Sequence, residues 1–313
     1  MAFIKLTPEH HERWNKFAFK HHWFFHRTEW LTYLMNSKKD VEFIDHSFFA
    51  QTGQNVTNII PLIQEGDKLI SPGFDDEREI VKEVNRIAQE NGIKHIQVNC
   101  DIKKYLSVPS YTCILDLDDI KPSKGHKSAI KKSEQILSYN SLGSLDIDTF
   151  RRYYINFSKE YTRPKKTFEL LGDWIWHGVG TLLEATLDNK AVGYIYLLHY
   201  KDYAYYFMSC TPMPYKQYNV THFLMNKAFD ILREKGVRKF ELGEQVYNSL
   251  QYQPTEKERS ISLFKRNFGG SIEVKPASEY FMDQTFMIET YANRLHKYWE
   301  CEHEKDIIDL SKT

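Results

Sequence analysis

The chain has 313 residues, and its 42 Lys and Arg are matched by 42 Asp and Glu. That length fits about two domains and a sizeable buried core. Zero formal charge argues against a dedicated DNA or other nucleic-acid binder, and no apolar run approaches the roughly 20 residues of a spanning helix.

Aromatic residues reach 15%, which suits sheets and pockets that stack rings. Cys100, Cys113, Cys210 and Cys301 are far apart and form no zinc-type pair. They read as reduced thiols of a cytoplasmic protein. The start, MAFIKLTPEH, lacks the apolar core of a signal peptide.

Residues 3–7 read as a strand, and Pro8 opens a helix to about Lys20 with Thr7 before it. Thr28 opens a second helix through WLTYLM. Strands over 41–50 and 56–64 flank a turn at Gly53. Ser71-Pro72-Gly73 breaks the chain before a helix over 76–91, and strands over 93–100 and 111–117 follow. The stretch KPSKGHKSAIKK, 121–132, is the most basic of the chain. Lys124, Lys127 and Lys131 share one face of the helix expected there. That face is either a solvated surface or a contact for substrate phosphates. A domain boundary is expected just before it, giving units over 1–120 and 121–313 with a linker helix at 123–138.

The second half restarts the pattern. A strand over 142–147 leads to a helix over 148–160, a loop with Arg163-Pro164, and a further helical piece around FELLGDWIWHGV. A three-stranded meander runs through TLLEATL, AVGYIYLLHY and YAYYFMSC, and Pro212 and Pro214 end it. A helix over 219–234, closed by Gly236, precedes the strand VRKFELG. Residues 247–259 read as a polar lid loop. ISLFKRNFGG and SIEVKP are expected to close the sheet as strands. A last helix over 284–305 is expected to pack through Phe286, Ile288, Tyr291, Leu295 and Trp299. The fold class is α/β (α+β), with two tandem units, each a mixed, mostly antiparallel sheet flanked by helices.

The meander exit carries the chemistry. A helix opening at 218–221 exposes unpaired N–H groups and partial positive charge, a setting for phosphate. Lys216 just upstream adds a cation. An ordinary core helix capped by Asn219 is the alternative. His22 and His26 have i, i+4 spacing, but no HExxH pattern accompanies them, and no metal is expected.

Phe240-Glu241-Leu242-Gly243 resembles the "DfG" strand of the FemAB-type transferases of the GNAT acyltransferase superfamily, and 262–270, SLFKRNFGG, resembles their "yrfKrgFGg" signature. GHKSAIKK at 125–132 is similar to the helix opening that family's second domain, and FHRTEWL at 25–31 to its early helix. The resemblance implies two tandem GNAT-like domains and acyl transfer to an amine. It implies acetyl-CoA or an aminoacyl-tRNA as donor, and the neutral charge disfavours tRNA. The acceptor would be a small molecule or glycan precursor of the cell envelope.

On that resemblance, Lys265 binds phosphate or stabilises an oxyanion, and Arg266 reinforces it. A structural role on a strand is the alternative. Glu241 is a base or acceptor-orienting carboxylate, or forms an ion pair, with Lys265 as one partner. Glu244 is a second carboxylate. Tyr206 and Tyr196 are proton-donor or acceptor contacts, or packing. Lys216, Gln217, Tyr218, Asn219, Val220, Thr221 and His222 would meet the donor phosphates. Arg163 joins Lys124, Lys127 and Lys131 on the acceptor side. One departure stands out: 217–221, QYNVT, lacks the glycines of the usual Q/RxxGxG/A pyrophosphate loop, and bulky Val220 would impede backbone approach. A non-catalytic GNAT-like binding protein is therefore a further reading.

Overall fold

The computed structural model describes residues 1–142, 150, 151, 154, 155 and 163–310, with backbone alone for 301–310. The chain opens with β1 (Ala2–Lys5), α1 (His11–His21) and α2 (Thr28–Met35). The strands expected over 41–50 and 56–64 each divide. β2 (Phe43–Asp45) parts from β3 (Phe48–Thr52), and β4 (Asn55–Ile60) parts from β5 (Ile63–Glu65) at Pro61, which has no N–H for a ladder. Each break lets the chain change sheets. β3 and β4 join β1 in a three-stranded sheet, while β2 and β5 enter a six-stranded one.

β6 (Lys68–Ser71), α3 (Arg78–Glu90), β7 (His95–Val98) and β8 (Leu106–Ser107) follow. The six-stranded order is β2-β5-β6-β7-β16-β8, where β16 is Ser278–Phe281. Ile80, Val81, Val84 and Ala88 of α3 bury against Leu69, Ile96 and Val98 of that sheet. They recur at helical spacing, so one stripe suffices to seat the helix.

The seven-stranded sheet is assembled from β9 (Ser110–Asp116), β10 (Ser138–Leu142), β11 (Gly180–Leu187), β12 (Lys190–Tyr200), β13 (Tyr203–Cys210), β14 (Lys239–Gln245) and β15 (Ser271–Lys275). Its order is β10-β11-β12-β13-β14-β9-β15. β13 and β14 run parallel, as do β6 and β7, and the other pairs are antiparallel. α4 (Lys124–Ser133) and α6 (Val220–Glu234) cover one face through Ile130, Phe223, Leu224 and Phe229. α5 (Lys165–Trp176) covers the other, together with Phe24 and Tyr33 from the first half of the chain. We keep residue 120 as the proposed domain boundary. The sheets trade strands across it: β9 lies in the second unit's sheet and β16 in the first unit's.

Two expectations are corrected. Residues 261–266 form the end of a helix, α7 (Glu256–Arg266), and not a strand. Thr255 and Glu258 close a reciprocal capping box, with Glu258 accepting from the Thr255 N–H at 2.8 Å, just after Pro254. The loop expected over 247–259 therefore ends at the cap. The last helix, α8 (Gln284–Leu310), does not pack through Ile288, Leu295 and Trp299, which are 57%, 59% and 57% exposed. Phe286 and Tyr291 do pack, their rings 6.4 and 5.9 Å from that of Phe281, and a polar cluster lies beside them. Glu279 on β16 accepts from Tyr291 at 2.7 Å, from Arg294 at 2.8 and 3.0 Å, and from His95 at 2.9 Å. The strand expected over 142–147 and the helix over 148–160 lie mostly outside the described residues. Among the described residues no helix is long and apolar enough to cross a membrane.

Candidate active site between splayed strands

β13 and β14 pair only through Tyr203, Ala204 and Tyr205 with Lys239, Phe240 and Glu241. Beyond Tyr205 the strands part: β13 stays on β12, and β14 stays on β9. α6 starts beside the far end of β13, where Thr221 Oγ1 lies 3.3 Å from Thr211 Oγ1. A 3₁₀ turn over Met213–Tyr218 leads into that helix, and Asn219 at its cap is left-handed, with φ 56°. The Tyr215 N–H donates to Pro212 O at 2.9 Å, and the Asn219 N–H to Lys216 O at 3.1 Å. Val220 does not obstruct the outer side of this loop. Its side chain is turned inward over Gly193, where any Cβ would collide with it.

Three residues converge at the splay. Gly243 on β14 has φ 87°, a left-handed conformation that favours glycine. A Cβ there would lie 3.1 Å from the Tyr205 hydroxyl and 3.2 Å from Lys265 Nζ. Lys265, in the last turn of α7, also donates to Glu244 O at 3.4 Å. Burial lowers the Lys265 pKa, and nearby Glu244, Cys113 and Glu241 oppose that without cancelling it. Burial, then the carboxylates Glu241 and Glu244, push the Tyr205 phenol well above its ordinary value. Tyr205 thus keeps its proton and donates, while Lys265 can exchange one nearer neutral pH.

Glu241 is a buried hub. It accepts from Thr112 Oγ1 at 2.7 Å, from Tyr203 OH at 2.8 Å, and from Lys275. Its ion pair is with Lys275, not Lys265. Glu244 is exposed at the strand end and faces a cleft of about 670 Å3 between the six- and seven-stranded sheets. Trp30, Asn99, Tyr111, Tyr247, Tyr252 and Arg294 are among its walls.

The remaining candidates do not join the convergence at Gly243. Tyr206 is enclosed on the α6 face, opposite Tyr205. Tyr196 is fully buried and donates to Leu171 O at 2.7 Å. Arg163 donates to Tyr33 OH and lies over the Phe207 ring at 5.4 Å. Lys124, Lys127 and Lys131 are not among the residues lining the cleft. Arg266 Nη1 reaches Tyr247 OH at 3.5 Å. At the α6 entrance, Lys216 and Gln217 are exposed, Tyr218 packs against the core, and Thr221 Oγ1 lies 3.3 Å from Thr211 Oγ1. His222 is turned toward α4 and α7, its ring 4.4 Å from His126 and 5.0 Å from Phe264, and burial lowers its pKa to about 4. His22 and His26 stack at 4.4 Å. Among the described residues no group of His, Cys, Asp or Glu could hold a metal ion.

Tyr205 is the residue that sequence reasoning missed, in favour of Tyr206. The signal was parity: Ala204 packs in the apolar core under α6, so Tyr203 and Tyr205 must face the other way, with Glu241.

Residues 156–253 match the family model described as acetyltransferase (GNAT) domain. No curated protein sequence matches the chain significantly. Among solved structures, FemX shares the fold over 93% of this chain and 100% of its own, with a TM-score of 0.68 at 12% identity. A C-terminal domain described as that of a lysylphosphatidylglycerol synthetase from Agrobacterium fabrum aligns over 92% of this chain and 95% of its own, with a TM-score of 0.63 at 12% identity. A tandem GNAT protein from the clavulanic acid biosynthesis pathway covers 90% of this chain and 98% of its own, with a TM-score of 0.54 at 10% identity. At these identities the likeness is one of fold. The splayed strands, the family match over 156–253 and the tandem arrangement together mark a GNAT-type acyltransferase domain in the second unit, within a tandem fold that the chain shares with FemX.

Proposed function

We propose that the chain is a cytoplasmic N-acyltransferase that moves an acetyl group from acetyl-CoA to an amine of a cell-envelope sugar or its nucleotide- or lipid-linked precursor. The carrying observation is the convergence of Tyr205, Gly243 and Lys265 in the splay between β13 and β14. A thioester bound there supplies an activated carbonyl. The α6 N-terminus and Lys216 meet its phosphates. Tyr205 donates its O–H toward the reacting acyl group. Lys265, in its neutral form, accepts the proton that the attacking ammonium must lose; the amine then forms the C–N bond, the C–S bond breaks, and CoA leaves as its thiol with the second N–H proton relayed through Tyr205. The acceptor enters from the cleft, where Glu244 draws an ammonium and aromatic walls stack on a ring face.

A second reading is aminoacyl transfer from aminoacyl-tRNA. The 3₁₀ turn favours it, because its internal hydrogen bonds consume backbone N–H groups that a pyrophosphate loop would offer. FemX and a lysylphosphatidylglycerol synthetase domain among the structural relatives lend it support.

The test is transfer of labelled acetyl from acetyl-CoA to a panel of amino sugars, with wild type and Lys265→Ala. Product with wild type, and at least a tenfold smaller yield with the variant at unchanged melting temperature, supports the first reading. No product, combined with salt-sensitive binding of aminoacyl-tRNA, transfers support to the second.

A further inference from the structure

We infer that His126 is a positioning residue for Lys265: its imidazole N–H is the tertiary cap that holds the last turn of α7 in place. The last four carbonyls of a helix have no partner within it. In α7 these belong to Leu263, Phe264, Lys265 and Arg266. The chain just beyond the helix satisfies three of them: Asn267 N donates to Leu263 O at 3.1 Å, Phe268 N to Lys265 O at 3.2 Å, and Gly269 N to Arg266 O at 2.9 Å. Phe264 O, next to Lys265, is met by His126 Nε2 at 3.0 Å.

The segment before and around His126 is built for this. Ser123 N donates to Asn267 O at 2.8 Å, just past the helix. Ser123 Oγ accepts from His126 N at 3.3 Å, which fixes the first turn of α4. Gly269, with φ 92°, lies against the backbone of Lys121, where a side chain would collide. The His126 ring is clamped by Phe268 at 4.6 Å, Phe264 at 5.3 Å and His222 at 4.4 Å. Burial lowers its pKa, and the bond to Phe264 O opposes this, so the ring is neutral with its proton on Nε2. The basic stretch KPSKGHK and the signature FKRNFGG, far apart in sequence, thus form one interlocked unit. Since His222 belongs to the first turn of α6, the same ring ties the proposed donor helix to the lysine.

Without the His126 donor the last turn of α7 frays, and Lys265 Nζ moves from Gly243 toward water. The inference rests on Lys265 being a site residue. It is tested without donor or acceptor, so its failure is distinct from failure of the acyl-transfer reading. The probe is acetic anhydride: the pH dependence of Lys265 acetylation is followed by peptide mass spectrometry in wild type, His126→Phe and His126→Gln. Phe keeps the ring packing and deletes the donor, while Gln restores an N–H. The expected result is that Lys265 labels at lower pH than exposed lysines in wild type and in His126→Gln, and shifts toward them in His126→Phe. A His126→Phe protein that titrates like wild type overturns the inference. So does a His126→Gln protein that shifts as far as His126→Phe, or a His126→Phe protein without a cooperative melt, since His126 would then act on the fold itself.

Discussion

The Tyr205 hydroxyl and Lys265 Nζ approach the same point in space, 3.1 and 3.2 Å from where Gly243 would carry a Cβ. They reach it from β13 and α7, across the gap that opens when β13 and β14 part. The missing side chain leaves room for a protonated phenol and a half-buried amine beside one point.

Gly243→Ala should therefore damage the site more than the fold. The added methyl separates Tyr205 from Lys265 and strains a backbone at φ 87°. Displacement of about 1 Å is enough for a loss of about 100-fold in turnover. Parallel measurement of turnover and thermal unfolding checks this. Wild-type turnover in the variant would show that the convergence is incidental.

Tyr205→Phe and Tyr206→Phe separate the two neighbours. Tyr205→Phe keeps the ring against Phe25 and Trp23 and removes the donor, and turnover should fall about 100-fold. Tyr206→Phe removes a hydroxyl on the opposite face and should leave turnover within about threefold of wild type. The reverse ranking would put the chemistry on the α6 side of the sheet.

Much of this architecture was legible in the sequence. The meander, the amphipathic α6, the strand FELG and the basic helix all announce themselves through apolar spacing and turn residues. The cap Thr255-x-x-Glu258 was equally readable, yet FKRNFGG drew attention to a strand because its apolar residues lie close together. The Tyr205 and Tyr206 parity depends on which face α6 covers, which is a tertiary fact. Nothing local shows that Glu241 pairs with Lys275, or that His126 reaches Phe264 O, since these partners are joined only by folding. The exposed stripe on α8 misled for a related reason: a buried ion network, together with the Phe286 and Tyr291 rings, seats that helix.

Glu279 is that network's centre. It is fully buried; Arg294 neutralises it, and His95 lies within hydrogen-bond distance. Glu279→Ala leaves a guanidinium and an imidazole without their acceptor and should cost about 3–5 kcal/mol in urea unfolding. A loss below about 1 kcal/mol would contradict this account of how α8 is held.

Acid should destabilise the protein in two windows. Burial lowers the pKa of His26 to about 3, and of His199 and His222 to about 4, from 6.5. The folded state keeps these rings neutral where the unfolded chain binds protons, so stability falls as pH drops from 6.5 toward 4. Glu279 is desolvated by burial, but hydrogen bonds from His95 and Arg294 hold its pKa down at about 2, against 4.5. Its contribution is present above 4.5 and is lost as pH falls from there toward 2. Melting temperatures between pH 7 and pH 3 check both, and His199→Gln should flatten the first window. A profile flat from 6.5 to 4.5 would contradict the buried-imidazole account.

The most direct test of the central claim is a thermal shift of the wild-type protein with acetyl-CoA, CoA and ADP in parallel. A ligand at about 100 times its dissociation constant adds about 2.7 kcal/mol of stability. A donor site at the α6 N-terminus predicts a rise with acetyl-CoA and CoA and none with ADP. No rise with either CoA species would contradict acetyl-CoA as the donor.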